Sequence, residues 1–140
     1  MFEWCFSRVP AYVGASLPAA STAFVAEAVE SSGADHWDCR SSGAYAISMS
    51  STSRKYGFRG CFHEVRMNEL VVQTFTFEGM PDGVALEGLI LEDIGNGRTR
   101  TTATSLVDSL AERGAIVASG MEHGVREGSL RFDRVLDGIV

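Results

Sequence analysis

Two glutamates fall within segments of this sequence that otherwise carry the alternating apolar pattern of strands. Glu64 shares strand parity with Phe62, and Glu87 shares it with Leu89. A carboxyl group that faces an apolar interior can serve as a general acid or base, or as a hydrogen-bond partner for a ligand. The structural alternative, which we favour for either residue taken alone, is that the carboxylate pairs with an arginine or reaches water at a strand end.

Cys61 and His63 form the next candidate pair, because a thiolate beside an imidazole is a nucleophile. They lie two residues apart and so share one face of a strand. Side chains at that spacing are about 7 Å apart, which is too far for a direct hydrogen bond. Alternation also places both opposite the aromatic positions, on the solvent side, so catalysis by this pair is not expected.

A third group of polar residues has the types that bind metals. His36 and Cys39 lie near Asp35 and Asp38. Four convergent ligands with tetrahedral spacing are missing, so a solvated polar stretch is the favoured interpretation, and His123 is also expected to be solvated. We expect neither a metal nor a cofactor, because the sequence carries no phosphate-binding glycine loop and no G-x-S-x-G motif.

The elements that position these residues must fit into one domain. The chain has 140 residues, and its 45% apolar and 21% charged residues are ordinary for a globular protein. We therefore take residues 1–140 as a single domain. The net charge of −6, without a cluster of Lys and Arg, argues against nucleic acid as a partner.

Cysteine usage and hydropathy bear on the cellular location. Cys5, Cys39 and Cys61 are an odd number without C-x-x-C spacing, which fits reduced thiols better than disulfides. No apolar run approaches the ~18 residues that a membrane helix needs, so membrane insertion is not expected. The weakly apolar stretch 11–26 follows Glu3 and lacks a basic region, so it does not read as a secretory signal. We expect a cytoplasmic protein.

Residues 34–106 read as an antiparallel sheet. Alternation together with β-branched and aromatic residues predicts strands at 43–50, 57–65, 70–77, 84–92 and 99–105. The Asn96-Gly97 pair between the last two is a strong hairpin signal, because both residues tolerate positive φ. Strands joined by such short turns must be antiparallel.

The C-terminal residues 117–139 change to the 3.6-residue period of an amphipathic helix. Its apolar positions are Met121, Val125, Phe132, Leu136 and Ile139. At 1.5 Å per residue this helix is about 34 Å long, enough to cross one face of the predicted sheet. Residues 108–113 are expected to form a short helix before it.

Residues 1–33 are atypical. Phe6–Ala15 is compatible with an edge strand, since Pro10 is tolerated only at an edge. Leu17–Glu30 is compatible with a helix in which Pro18 occupies the first turn. Ser31–Ala34 would end that helix.

Five segments, taken in order, resemble a known superfamily. They are Phe58-Arg-Gly-Cys-Phe-His-Glu-Val65, Glu69-Leu-Val-Val-Gln-Thr-Phe-Thr-Phe-Glu-Gly79, Leu91-Glu-Asp-Ile-Gly-Asn-Gly-Arg-Thr-Arg-Thr101, Ala118-Ser-Gly-Met-Glu-His-Gly-Val-Arg-Glu-Gly128 and Phe132-Asp-Arg-Val-Leu136. The resemblance covers about residues 36–139. It resembles the SRPBCC superfamily of START and Bet v-like proteins, in the branch named after the C-terminal domain of the activator of the heat-shock-protein-90 ATPase.

The resemblance implies an α+β helix-grip fold. In that fold a curved antiparallel sheet of six or seven strands wraps around a long C-terminal helix and leaves an apolar cavity between them. The start of the chain departs from the family pattern, because Trp4 is too early for the family's tryptophan-rich stretch and only one helix fits before Trp37. The cap over the cavity mouth is therefore expected to be shortened or rebuilt, and an edge left open in this way would allow a homodimer.

On this fold, apolar side chains of the sheet and the helix would line the cavity. They are Tyr45, Ile47, Met49, Phe58, Phe62, Phe75, Leu89, Leu91, Met121, Val125 and Phe132. The alternative is that they simply fill a core, and for any one of them alone that is the favoured interpretation. For the whole set the fold favours a cavity, because a strongly bent sheet and one helix rarely close without a gap.

We therefore predict a module that binds a small apolar or amphipathic molecule. Two alternatives remain open. One is an interaction protein, for which the name of the branch suggests a chaperone partner. The other is an enzyme of the cyclase or aromatase type that uses Glu64 or Glu87. The apolar character of the inward positions favours binding, although a fold alone cannot decide between activities.

Overall fold

A computed structural model describes residues 2–7, 31–50, 54–118, 126 and 130 of the chain. The strands are β1 (Phe2–Ser7), β2 (Ser31–Trp37), β3 (Ala44–Ser50), β4 (Lys55–Arg66), β5 (Leu70–Phe77), β6 (Ala85–Gly95) and β7 (Arg98–Leu106). They form one seven-stranded sheet in the order β1-β7-β6-β5-β4-β3-β2, and every neighbouring pair is antiparallel. The predicted α+β class and antiparallel sheet are confirmed.

The five strands predicted from alternation correspond to β3–β7, with small differences at their ends. The hairpin predicted between β6 and β7 is also confirmed. Asn96 and Gly97 have φ angles of 56° and 68°, so both residues of the turn are left-handed. This geometry matches the twist of the flanking strands, and Asn and Gly adopt it at low cost.

The N-terminal strand lies earlier than predicted. β1 pairs along β7, with Trp4 opposite Thr101, and it forms one edge of the sheet. It shares only Phe6 and Ser7 with the predicted edge strand, and the remainder of that segment lies outside the described residues. The helix predicted at Leu17–Glu30 also lies outside them.

The assignment of Ser31–Ala34 to the end of a helix is wrong, because these residues begin β2. Ser31 lies opposite Ser50 of β3, and Ala34 lies opposite Ile47. Small residues have little strand preference of their own, so the local sequence gave no signal here. Pairing with the free edge of β3 overrides that weak preference.

One helix follows the sheet, α1 at Leu110–Ala118. The Ser109 hydroxyl accepts a hydrogen bond from the Glu112 N–H (3.1 Å), and the Glu112 carboxylate accepts one from the Asp108 N–H (3.2 Å). This reciprocal arrangement is a variant of the capping box. The predicted short helix at 108–113 therefore starts later and runs further.

The described part of the chain contains no helix long and apolar enough to cross a membrane.

The long helix predicted at 117–139 is described only in fragments. Its first two residues belong to α1, and Arg126 and Leu130 have helical backbone. The other residues of 119–139 lie outside the described residues, and they include the predicted cavity positions Met121, Val125 and Phe132.

One face of the sheet carries the hydrophobic core, and we call it the inner face. Its buried members are Tyr45, Ile47, Met49, Phe58, Phe62, Val71, Phe75, Ala85 and Leu91. Aromatic rings dominate it. Trp37, Tyr45 and Phe62 form one group with ring centroids 5.2–5.5 Å apart. A second group is centred on Phe58, whose ring lies 5.2 Å from that of Phe75. Such pairs add about 0.5–1.5 kcal/mol each beyond the area they bury.

Gly60 of β4 allows Tyr45 to reach across its neighbouring strand. The Tyr45 hydroxyl on β3 donates a hydrogen bond to the backbone carbonyl of Thr74 on β5, at 2.8 Å. A Cβ on Gly60 would lie 2.7–2.8 Å from the Tyr45 ring and closer still to the Thr74 carbonyl oxygen. Only glycine fits under the Tyr45 ring. Gly60 on β4 thus allows the hydrogen bond that links β3 to β5.

Replacing Gly60 with alanine should lower the free energy of unfolding by about 1–3 kcal/mol, because overpacking displaces the Tyr45 ring or the β5 backbone. Urea denaturation measures the change. Gly88→Ala is the matched control, since a Cβ on Gly88 meets nothing within 4 Å. That control should be neutral or slightly stabilising. An equal effect of both substitutions would contradict the role given to Gly60.

Candidate functional site

A row of polar side chains crosses the inner face on three adjacent strands. Gln73 of β5 lies directly opposite Glu87 of β6, and Glu87 lies directly opposite Ser105 of β7. The Gln73 amide nitrogen donates to Glu87 Oε2 (2.9 Å), and the Ser105 hydroxyl donates to Glu87 Oε1 (3.3 Å). We call Gln73, Glu87 and Ser105 the polar row.

A bulge in the β6–β7 hairpin brings Ser105 into this row. The register shifts between Asp93 and Gly95, where Gly95 has a φ of 81°. The Asp93 carboxylate accepts a hydrogen bond from the Gly95 N–H at 2.8 Å and holds the bulge in place. A regular two-residue hairpin would place Ser105 opposite Gly88, on the outer face. Glycine is the residue type that this left-handed bulge position favours.

Glu87 is the titratable centre of the row. Burial raises the pKa of its carboxyl group, and the hydrogen bonds from Gln73 and Ser105 only partly oppose that effect. The residue as a whole is partly buried. The site therefore holds a carboxyl group that ionises less readily than an ordinary glutamate.

Gln73 leaves one strong acceptor unused. The residue is 7% exposed, and its amide nitrogen is engaged with Glu87. Its carbonyl oxygen Oε1 is buried and has no hydrogen-bond partner among the described residues. A buried acceptor without a partner costs about 1–3 kcal/mol, so such groups often mark functional sites.

Exposure changes across the inner face. The inward side chains of β3, β4 and β5 are buried at their centres, whereas Glu87, Leu89 and Ala103 are only partly buried and Ser105 is exposed. Leu89 and Ala103 lie on strands flanked by β5 and β1, so their exposure does not come from a sheet edge, whereas Ser105 lies beyond the described pairing of β7 with β1. We call Glu87, Leu89, Ala103 and Ser105 the open region of the inner face.

Tyr45 lies close enough to this region to be affected by its charge. Burial, followed by electrostatic interaction with Glu87 and Cys61, raises the pKa of the Tyr45 phenol far above its ordinary value. The hydroxyl therefore remains protonated and keeps donating to the Thr74 carbonyl.

The predicted inward parity of Glu64 is wrong. A bulge between Phe62 and Glu64 shifts the register of β4 against β5, so that Glu64 lies opposite Val72 and Val65 lies opposite Val71. The Glu64 side chain is 49% exposed, and its carboxylate lies 3.7 Å from the Arg66 guanidinium. Glu64 is therefore a surface carboxylate that pairs with an arginine, as the structural alternative predicts.

The other polar candidates lie at the surface. Cys61 and His63 are both exposed, on the solvent side that alternation predicts. His36 is exposed, and Asp38 pairs with Arg40 at 3.0 Å. Burial, and secondarily the charge of Asp38, raises the pKa of the Cys39 thiol. Within the described ranges, no three His, Cys, Asp or Glu side chains are grouped as metal ligands.

The eight predicted cavity residues that the structure describes all face the inner side. Seven are buried, and Leu89 is partly buried against them. Whether they border a cavity stays a prediction. Sequence reasoning missed Gln73, Ala103 and Ser105. Gln73 has the parity of Phe75, so alternation could have placed it inside.

The pH dependence of stability should report the state of Glu87. Because the folded protein holds its proton more tightly than the unfolded chain, ionisation opposes folding. The stabilising contribution is complete below the ordinary glutamate pKa of about 4.3 and is lost as the pH rises through the higher folded-state value. The free energy of unfolding of the wild type relative to Glu87→Gln should therefore fall as the pH rises above about 4.3.

Urea denaturation at several pH values measures this difference. Glu64→Gln removes one negative charge from the exposed side of the sheet and controls for the change in net charge. A free energy of unfolding of the wild type that rises with pH relative to that of Glu87→Gln would contradict the buried position of Glu87.

Comparison with known proteins places this fold. A family model described as activator of Hsp90 ATPase homolog 1-like protein matches residues 27–137. No curated protein matches. A crystal structure from Rhodobacter sphaeroides is 19% identical with a TM-score of 0.77, covering 99% of this chain and 93% of the other. Protein Ms6760 from Mycobacterium smegmatis is 15% identical with a TM-score of 0.76, covering 99% and 90%.

Protein CV1439 from Chromobacterium violaceum is 16% identical with a TM-score of 0.64 and covers 94% of each chain. These likenesses concern the fold alone. The family model, in contrast, spans most of the sequence, including every strand from β3 to β7. The chain therefore belongs to the activator of Hsp90 ATPase homolog 1-like family, within the SRPBCC superfamily.

Proposed function

We propose that the chain binds a small apolar or amphipathic molecule between the inner face of its sheet and its C-terminal segment. The observation that carries this proposal is the open region, where inward side chains of two internal strands remain accessible. Internal strands that only fill a core would have buried side chains on that face. The helix-grip arrangement with a long C-terminal helix is part of the same proposal.

The open region offers both parts of an amphipathic surface. Leu89 and Ala103, directly opposite each other, supply an apolar floor beside the aromatic core. The polar row lies one step along the same strands, about 7 Å away. A molecule with an apolar body and one polar group matches this arrangement.

The expected affinity is modest. A ligand that buries ~300 Å² of apolar surface gains about 7 kcal/mol at ~25 cal/mol per Å². Loss of translational and rotational freedom on binding offsets several kcal/mol of that gain. A dissociation constant near the micromolar range is the natural expectation.

An enzyme of the cyclase or aromatase type has less support. Acid–base chemistry needs at least two titratable groups that converge on one point. The described partners of Glu87 are an amide and a hydroxyl, and the Tyr45 hydroxyl is engaged by the Thr74 carbonyl. These groups suit recognition better than proton transfer.

Filling the open region should weaken binding. We expect the wild type to bind diphenylhexatriene, a purely apolar fluorescent dye, with saturable and competable fluorescence. Ala103→Trp places an indole on the inner face and should weaken binding by about tenfold or more, that is at least about 1.4 kcal/mol.

Thr104→Trp adds the same indole to the opposite face of the same strand and should leave the affinity unchanged. Fluorescence titration measures both variants, with circular dichroism as the check on folding. A wild type without saturable binding, or equal effects of the two substitutions, would contradict the proposal.

A second candidate function is interaction with a chaperone, which the outer face of the sheet favours. Leu86, Ile90 and Leu106 are 42%, 47% and 61% exposed there, and Leu86 lies directly opposite Leu106. We call these three residues the outer patch. Exposed apolar side chains on one face commonly mark protein contacts, and the family description names the Hsp90 ATPase. The partner would be an ATPase of that class.

A charged outer patch should abolish any stimulation of such an ATPase. Leu86→Asp combined with Leu106→Asp places two carboxylates in the contact, whereas Met67→Asp puts a charge at another exposed apolar side chain, in the β4–β5 turn. We expect the wild type and Met67→Asp to raise the steady-state rate of ATP hydrolysis and the double variant not to. No stimulation by a saturating amount of wild type would refute this candidate.

A further inference from the structure

We infer that the ligand of the open region carries a protonated amine, held by hydrogen bonds to Glu87 and Gln73. This inference rests on the proposed binding function and specifies the chemistry of the ligand's polar end. The polar row supplies the geometry for it: three side chains on neighbouring strands, in direct register, extending from the buried interior to the surface.

Both hydrogen bonds within the polar row are donated to Glu87. The Gln73 amide nitrogen and the Ser105 hydroxyl both donate to the Glu87 carboxylate. With Glu87 ionised, what remains for a ligand is mainly acceptor capacity: Gln73 Oε1, which has no partner among the described residues, and the remaining lone pairs of the carboxylate, against one further N–H of the Gln73 amide. A primary ammonium group has three donors and no acceptor, whereas a hydroxyl adds acceptor lone pairs and a carboxylate has only acceptors. The ammonium group is therefore the complementary one.

The electrostatics of the polar row also favour an ammonium group on the ligand. The hydrogen-bond partners that the structure gives to the Glu87 carboxylate are both neutral. Burial favours the protonated form of Glu87, whereas a positive charge placed beside it would favour the carboxylate. An ammonium group at this position supplies that charge, and charge-assisted hydrogen bonds are about twice as strong as neutral ones.

The neighbouring residues define the rest of the molecule. Ser105 is exposed at one end of the row and Gln73 is buried at the other, so the head group can approach from the side of β7. Leu89 and Ala103 lie next along the same face and would contact an apolar chain. The class of ligand is thus an aliphatic or aromatic amine with a single cationic head.

Competition among three probes that share a ten-carbon alkyl chain and differ in the head group tests this inference. Decylamine, decanol and decanoate are each titrated against bound diphenylhexatriene at neutral pH, below their micelle concentrations. On the wild type, decylamine should displace the dye at a concentration lower than decanol by about tenfold, as expected for a hydrogen bond to a charged group. Decanoate should be the weakest of the three.

Two variants assign the preference to Glu87. Glu87→Gln should remove the advantage of decylamine over decanol while the dye still binds. Glu64→Gln makes the same change of charge on the exposed face and should keep that advantage. Equal displacement by decylamine and decanol on the wild type, a preference for decanoate, or an unchanged preference in Glu87→Gln would each overturn the inference. In those cases dye binding would persist, whereas failure of the proposed function would appear as no dye binding at all.

Discussion

Strand register controls which polar groups enter the interior of this sheet, and two bulges set that register. Side chains along a strand alternate between the two faces of the sheet. An extra residue in a strand therefore moves each side chain beyond it to the opposite face. The bulge at Gly95 turns Ser105 toward the inner face, opposite Glu87. The bulge after Phe62 turns Glu64 to solvent. Of two glutamates in similar apolar segments, one thus lies at the core and the other pairs with an arginine at the surface.

The polar row would lower the stability of a sheet that served only to form a packed core. The Gln73 carbonyl, which has no partner in the part of the chain that the structure describes, costs about 1–3 kcal/mol, and burial opposes ionisation of Glu87. Apolar side chains of similar volume at both positions would remove these penalties. The aromatic groups and the Tyr45–Thr74 hydrogen bond stabilise the neighbouring strands, which allows the sheet to tolerate the row. Its position beside accessible apolar side chains is the arrangement that suits an amphipathic ligand.

Alternation was sufficient to predict the aromatic inner face, because a strand that buries one side must place apolar residues at every second position. Tyr45 and Phe58 follow directly from that rule. Asn96-Gly97 predicted its turn for the same local reason, but not the bulge beside it, and so not the inward position of Ser105. β2 was missed at Ser31 because its strand structure comes from pairing with β3 rather than from its own residues. Long-range pairing of this kind leaves no local signal.

The most direct test of the account is where a bound ligand contacts the sheet. Intermolecular nuclear Overhauser effects between decylamine and methyl groups of the protein distinguish the two faces of the same strands. Binding in the open region predicts contacts from the alkyl chain to the methyl groups of Leu89 and Ala103, on the inner face. Contacts confined to Leu86 and Ile90, on the outer face of β6, would contradict it.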